Sequence, residues 1–336
     1  MATRLKDIAD DLGVSVVTVS KVLRGKSDVG EETRRRVLER MKALNYRPNM
    51  LARGLASGRT HTVGLVVPDL VQPFFAEFAK SLASVLRERQ YALILASSEE
   101  APEIETQEIR TLILRGVDVL LLASCRTGLR HSTEVSDGTI PCLLVDRNLP
   151  GTRLPYVGSD DVRAGELAAE HLVAIGRERI AHIGGQNTSP SIDRVRGFSN
   201  ALTKCKRQLP KNYLLRNEHV EESGDAIGYR AMQQLLKLRS RPDAVFCYND
   251  LTAMGAIEAV LQSGLRVPDD IAIIGCGNFR YAGYLRVPLS SIDQCTMELG
   301  RIAGEMALEL SSQSLSTPRS VVLQPSLVVR RSTGGR

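Results

Sequence analysis

The chain has 336 residues, 43% of them hydrophobic and 24% charged, which is an ordinary balance for globular domains and enough length for two or three of them. No apolar run approaches the roughly 18 residues of a membrane-spanning helix; the longest are short pieces such as VGLVV and VDVLLLASC, which read as buried strands. The net charge of +6 is localised: residues 1–60 hold 13 of the 44 Lys and Arg but 7 of the 38 Asp and Glu, and the remainder holds 31 of each. That asymmetry points to an acidic polymer, nucleic acid first, at the N-terminal end.

The opening segment MATRLKDIADD is charged and has no apolar signal region, so a cytoplasmic protein is expected. LKDIADDL then places Leu5, Ile8, Ala9 and Leu12 on one helical face, Gly13 breaks that helix, and Ser15 offers a cap for VVTVSKVLR. Glu31 and Glu32 put acid at the start of a third helix, RRRVLERMKALNY, in which Val37, Leu38, Met41 and Leu44 recur at helical spacing. Two small helices joined by a tight Gly-containing turn and buttressed by a third make a helix-turn-helix unit over residues 1–46.

Residues 47–60 form a hinge or linker. RPNMLARGLASGR carries Met50, Leu51 and Leu55 at helical spacing on a basic segment too short to bury anything alone. A helix this short is marginal in water, and Gly54 weakens it further, so it is expected to order mainly when something docks against it.

From Thr62 the grammar changes. TVGLVV, YALILA, VDVLLLA, IPCLLVD, RIAHIGG, DAVFCY and IAIIGC are short apolar runs separated by helical stretches such as FFAEFAKSLASVLRERQ and LTAMGAIEAVLQSG. This alternation predicts parallel sheets covered by helices on both faces. The length, residues 61–336, exceeds one ordinary open sheet, so two α/β lobes with a cleft between them are expected: about 61–158 with 291–319, and about 159–290 with 320–331. Ligands of such sheets sit beyond the carboxyl ends of the strands.

The stretch from ATRLKDIADDLGVSVVTVSKVLRGKSDVGEETRRRVLERMKALNYRPNM through LARGLASGRTHTVGLVVPD resembles the N-terminal region of the LacI/GalR family of bacterial transcriptional regulators. The resemblance continues through QPFFAEF, LVDRNLP, RVRGFSNAL, YNDLTAMGAIEA, GLRVPDDIAIIG and PLSSID, over essentially the whole chain. It implies an all-α helix-turn-helix head, a hinge helix, and a two-lobed effector domain like the periplasmic sugar-binding proteins. The implied partners are double-stranded operator DNA, a second copy of the chain, and a sugar, sugar acid or sugar phosphate, with neither a membrane nor a cofactor involved. VVRRSTGGR adds no long heptad tail, so a dimer is expected rather than a tetramer.

By this resemblance Val16, Val17 and Lys21 read bases. The valines suit thymine methyls and Lys21 suits guanine acceptors in the major groove. Thr18, Ser20 and Thr33 suit phosphates, which position without specifying, and Val19 suits the core. In the hinge, Leu55 matches a leucine wedge in the minor groove, flanked by Asn49, Ala52 and Arg53; a flexible linker when free and a helix when bound are both consistent with Gly54, Ser57 and Gly58.

The effector site carried over by motif comprises Asp69, Phe74, Asp146, Asp160, Arg194, Asn249 and Gln294, with Ser223 where an aromatic ring often stacks on the ligand. Acceptors, amides and a planar guanidinium suit a hydroxyl-rich ligand, because each lost water contact must be replaced. Gly277 stands where a ligand-binding Asp is common. A fixed Arg194 charge and a missing carboxylate together shift the expectation toward an acidic or phosphorylated ligand.

Rival readings are weaker. GCGNFR lacks the third glycine of a dinucleotide fingerprint, and no P-loop, GxSxG elbow or metal-ligand spacing appears, so a nucleotide-cofactor enzyme on a DNA-binding head has little support and no catalytic or metal residue is assigned. A sugar-binding protein without a regulatory role shares the lobes but not the basic head. The six cysteines form no CxxC pair and are expected to be free.

Overall fold

The computed structural model describes residues 4–23, 28–46, 59–126, 135, 138–216, 224–312 and 319–335. It divides into a small N-terminal unit, residues 1–60, and a larger one, residues 61–336.

The small unit is built from α1 (Leu5–Leu12), α2 (Val16–Leu23) and α3 (Glu31–Ala43). Gly13 ends α1 in the left-handed conformation, φ 66°, with its N–H returned to the carbonyls of Ala9 and Asp10, so the break read from sequence has a backbone cause. Ser15 Oγ accepts the Thr18 N–H at 3.1 Å and starts α2 one turn later. Ile8, Ala9, Val19, Val22, Val37 and Met41 form the buried centre. Arg40 pairs with Asp11 at 2.6 Å and ties α3 to α1. Leu38 departs from expectation: it is half exposed, because the buried stripe runs through Val37, Met41 and Leu44 and the next residue in sequence lies about 100° around the helix.

The larger unit contains two six-stranded sheets. The first uses β1 (Thr62–Val67), β2 (Ala92–Ser97), β3 (Val119–Leu122), β4 (Cys142–Val145), β5 (Tyr156–Ser159) and β11 (Ser320–Leu323) in the order β11-β5-β4-β3-β1-β2, all parallel. The second uses β6 (Ile180–Ile183), β7 (Leu214–Leu215), β8 (Ala244–Cys247), β9 (Ala272–Cys276), β10 (Ser290–Asp293) and β12 (Ser326–Val328) in the order β12-β10-β9-β8-β6-β7, parallel except for β12. The central strands are buried along their length except at Thr62, the first residue of β1, as helices on both faces require.

Around the first sheet pack α4 (Pro73–Glu88), α5 (Pro102–Leu114) and α10 (Thr296–Ser311); around the second pack α6 (Asp161–Ala174), α7 (Ser189–Lys204), α8 (Gly224–Leu236) and α9 (Asp250–Gln262). The α6–α7 contact is unusually close. A methyl carbon on Gly197 would lie 1.9 Å from the Val162 carbonyl oxygen, and one on Gly165 2.1 Å from that of Arg194. That approach fixes the start of α7 over the start of α6 and so positions Arg194 beside Asp161.

The lobe boundaries differ from the sequence-based ones at both returns of the chain. Ser290–Asp293 pairs with β9 and stays in the second sheet, whereas Ser320–Leu323 pairs with β5 and belongs to the first. β10 lies between β9 and β12, and β11 forms the edge beside β5, a partition that strand composition does not encode. The chain therefore crosses between lobes near Asp160, Gln294 and Gln324.

Candidate ligand cleft and nucleic-acid interface

In the small unit, α2 presents Val16 and Val17 at its first turn, 41% and 60% exposed, while Val19 and Val22 are buried. The two kinds of valine thus have different work: the inner pair holds the three helices together, and the outer pair is left for something that approaches the helix start. Lys21 is half exposed and bonded to Asp28, a surface pair that is weak in water and exchangeable for a base or phosphate acceptor. Thr18 shares a 2.9 Å hydroxyl contact with Ser15, and Ser20 and Thr33 are half-buried near the same surface. Asn49, Ala52, Arg53 and Leu55 lie outside the described residues.

Two adjoining cavities open between the lobes. The polar one encloses about 480 Å³ of space, part of it open to solvent; its walls include Asp69, Glu100, Arg147, Thr188 and Tyr248. The second encloses about 330 Å³ and is walled largely by Pro73, Phe74, Leu251 and Phe279. Gln72 and Asn249 line both. Asp69, Phe74 and Asn249 therefore stand where the motif places them. Asn249 also caps α9, its side chain accepting the Thr252 N–H at 2.8 Å.

Of the remaining residues expected in the cleft, Asp160 and Arg194 have other partners. Asp160 caps α6 by accepting the Arg163 N–H at 2.9 Å and takes a second bond from Gln324 at 3.2 Å, so it braces two of the crossings. Gln294 is 3% exposed at the third crossing, and its Nε2 has no partner among the described residues. Ser223 lies outside the described residues. Arg194 is 3% exposed, donates to Asp161 Oδ1 from Nε at 2.8 Å and to the Tyr248 carbonyl at 2.7 Å, and lies over the Tyr248 ring. Burial opposes its charge, but Asp161 leads the groups that keep the guanidinium ionised, well above its ordinary range.

Sequence reasoning missed Arg147 and Glu100. Arg147 Nη1 and Nη2 donate to the two Glu100 carboxylate oxygens at 2.7 and 2.6 Å, and the side chains are only 4% and 10% exposed. Arg147 follows Asp146 in LVDRNLP, but Glu100 is 47 residues away, and no local signal joins them. Between this pair and the Asp161–Arg194 pair sits Asp146, at φ 60°, whose carboxyl is pushed up to about 7 by burial and by Asp161, against the pull of Arg147 and Arg194. Asp161 is itself held above the carboxylate range, since its burial outweighs its ion pair.

This arrangement removes the charge argument on which the expectation of an anionic ligand rested. Both guanidiniums are matched by buried carboxylates, and the space beside Gly277 is already occupied by the Asp250 carboxylate, 3.5 Å from where a methyl carbon on Gly277 would stand. Asp250 accepts from the Ser291 hydroxyl and the Phe279 N–H, and burial pushes its carboxyl up to about 6. The cleft wall offers hydrogen bonds without net positive charge, which suits neutral hydroxyls.

Among the described residues no His, Cys, Asp and Glu cluster has metal-binding geometry, the six cysteines are free, and no helix is long and apolar enough to cross a membrane. His182 is a core residue between Phe198 and Phe246, its Nδ1 3.0 Å from the Phe246 carbonyl.

Comparison with known proteins agrees with this division of labour. Residues 4–49 match the family described as bacterial regulatory proteins, lacI family, and residues 169–333 match a periplasmic binding protein-like domain. The ribose operon repressor of Haemophilus influenzae is 34% identical over 99% of this chain and 98% of its own length. The transcriptional repressor PurR of Mannheimia succiniciproducens is 31% identical, with the same coverage of both chains. A lac repressor dimer, solved bound to operator and the anti-inducer ONPF, superposes with a TM-score of 0.88 at 26% identity, covering 99% of each chain.

Proposed function

The chain belongs to the LacI family of bacterial transcriptional regulators, and from that premise we propose that it is a repressor that binds a pseudo-palindromic operator as a homodimer and is controlled by a small polyhydroxylated effector in the cleft. It is a DNA-binding regulator and not an enzyme, and it acts in the cytoplasm, where operator DNA is. The observation that carries the reading is the pairing, in one chain, of a helix that exposes Val16 and Val17 at its start with a two-lobed cleft walled by Asp69, Arg147 and Asn249.

The small unit reads each half-site through Val16, Val17 and Lys21, with Thr18, Ser20 and Thr33 on phosphates. Asn49, Ala52, Arg53 and Leu55 act in the minor groove at the operator centre. In the cleft, Asp69, Arg147 and Asn249 meet the effector; Asp160 and Gln294 brace the crossings; Arg194, through Asp161 and Tyr248, holds the second lobe's wall. Effector binding changes the relation of the lobes because both supply walls to one site, so closure around the ligand is what the rest of the dimer senses.

Selection of bound sequences from random duplex DNA tests the first part: a symmetric pair of half-sites is expected, and enrichment of a single asymmetric half-site would refute the dimeric reading. A thermal-shift screen of sugars, sugar acids, sugar phosphates and nucleosides tests the second, since a ligand specific to the native state raises apparent stability.

A further inference from the structure

The second lobe has a charged end that the effector cleft does not use. β6, β8 and β9 run parallel and start in register at Ile180, Ala244 and Ala272. The segments before them, 177–179, 237–243 and 264–270, therefore meet at the end of the sheet opposite the cleft, where 204–213 leads into β7. Hydrogen bonds join the four. Arg177 donates to the Pro268 carbonyl at 2.7 Å, Arg179 to the Arg241 carbonyl at 2.8 Å and Tyr213 to the Ser240 carbonyl at 2.8 Å, and Arg207 pairs with Glu178 at 3.5 Å. Together these segments hold ten Lys and Arg against four Asp and Glu, whereas residues 61–336 as a whole hold 31 of each, so the basic excess of this unit is gathered here. Five of the ten, Lys206, Lys211, Lys237, Arg239 and Arg241, are exposed, and their side chains have no hydrogen bond or ion pair among the described residues.

Helix termini do not account for them. The helix dipole favours a basic side chain in the last turn, and Lys204 stands there in α7, but the effect falls off within that turn. α7 ends at Lys204 and α8 at Leu236, so Lys211, Arg239 and Arg241 lie beyond its reach. Like charges gathered on one end of a lobe repel one another, and a bound anion relieves that repulsion. The chemistry selects the anion. A protein partner needs a central apolar or aromatic anchor, and here Leu209, Tyr213, Leu238, Leu265 and Val267 are packed into or against the lobe's own core. A phosphate backbone needs no such anchor, since exposed Lys and Arg suffice to hold it. We infer that this end of the second lobe is a further DNA-contact surface, which takes the phosphate backbone of duplex DNA without reading its bases. The inference goes beyond operator recognition by the head: it gives the chain a separate, sequence-independent hold on DNA at a place that leaves the cleft open to its ligand.

Fluorescence anisotropy on the full chain tests it. The chain is saturated with an unlabelled duplex carrying the operator recovered by selection, which fills the head, and a short labelled duplex of unrelated sequence is then titrated in. A second binding event is expected. Four or five phosphate contacts, each adding about 0.9 to the logarithmic salt slope, weaken it about a hundredfold or more between about 50 and 200 mM salt. Lys206→Glu, Lys237→Glu, Arg239→Glu and Arg241→Glu together are expected to abolish it and to leave affinity for the short operator duplex intact. Should that variant fail to fold, Lys237→Gln with Arg239→Gln is expected to lower the salt slope by about 2. Poly-glutamate, with one charge per about 3.5 Å of extended chain against one per about 1.7 Å of duplex, should displace the labelled duplex poorly at equal charge. Displacement as effective as that by unlabelled duplex would make the surface a site for acidic protein and overturn the assignment to DNA. No second binding event, or one that survives the substitutions, overturns this inference and leaves operator binding and effector control standing. If selection recovers no operator, the operator reading fails separately, and the native chain alone is expected to bind the labelled duplex with a salt slope steeper than the variant's by about one per substituted residue; equal slopes then overturn the inference.

Discussion

Glu100→Gln isolates the charge balance of the cleft. In the native chain both Glu100 oxygens hold Arg147, at 2.6 and 2.7 Å, with the pair almost fully buried. Removing one partner of a buried pair costs about 3–5 kcal/mol, and the lower end applies because the carboxamide oxygen still accepts one N–H. That is a large share of an ordinary total of about 5–15 kcal/mol, so the unfolding midpoint should fall clearly while the chain remains folded. The cleft gains one uncompensated positive charge. A ligand carboxylate about 4 Å from a guanidinium gains about 4 kcal/mol at an effective dielectric near 20, and the open side of the cavity reduces this. A gain of about 1.4–2.8 kcal/mol, ten- to a hundredfold, is the reasonable expectation. Calorimetry with a neutral sugar and its uronic acid reads the ratio directly: the native chain should prefer the neutral sugar, and Glu100→Gln should move the ratio toward the acid by that factor. A native chain that prefers the acid, or a ratio unmoved by Glu100→Gln, would refute the argument that the buried carboxylates set ligand charge.

Lys21→Ala should weaken binding by about 1–3 kcal/mol and relax preference at one base pair per half-site, measured across a set of operator variants; a uniform loss for every variant would make Lys21 a phosphate contact. Asp146 links stability to pH. Its folded-state carboxyl is pushed up to about 7 from an ordinary 3.8, so between about pH 4 and 7 the folded chain holds a proton that the unfolded chain has lost, and the contribution present below about pH 4 disappears as pH rises to 7. Asp146→Asn, which suits the φ of 60° equally well, should therefore gain on the native chain by up to a few kcal/mol between pH 4 and pH 8 in denaturant titrations, and an equal difference at both pH values would count against the shift. His182, pushed down to about 3 by burial, acts in the opposite direction in both chains and cancels in that difference. Gly197→Ala should cost about 3 kcal/mol, because its methyl would lie 1.9 Å from backbone that cannot rotate away, and a denaturation midpoint within error of the native one would show that α6 and α7 can separate freely.

The sequence by itself determined the three-helix head, with Gly13 and Ser15 as its punctuation, the switch from helical to strand periodicity near Thr62, and the location of the basic excess. These depend on local backbone preference and on spacing within one element, which a linear reading contains. The resemblance also named Asp69, Phe74 and Asn249 for the cleft, and all three line its cavities. Only the tertiary structure decided which sheet received Ser290–Asp293 and which received Ser320–Leu323, because short strands of similar composition carry no mark of the strand they will pair with. It alone joined Glu100 to Arg147 and Asp161 to Arg194, and so turned an arginine read as an anion receptor into one already paired within its own lobe. The physical reason is common to all of these: pairing across tens of residues, and the ionisation of a buried carboxyl such as Asp146, depend on distance and on exclusion of water, and neither quantity exists along the chain.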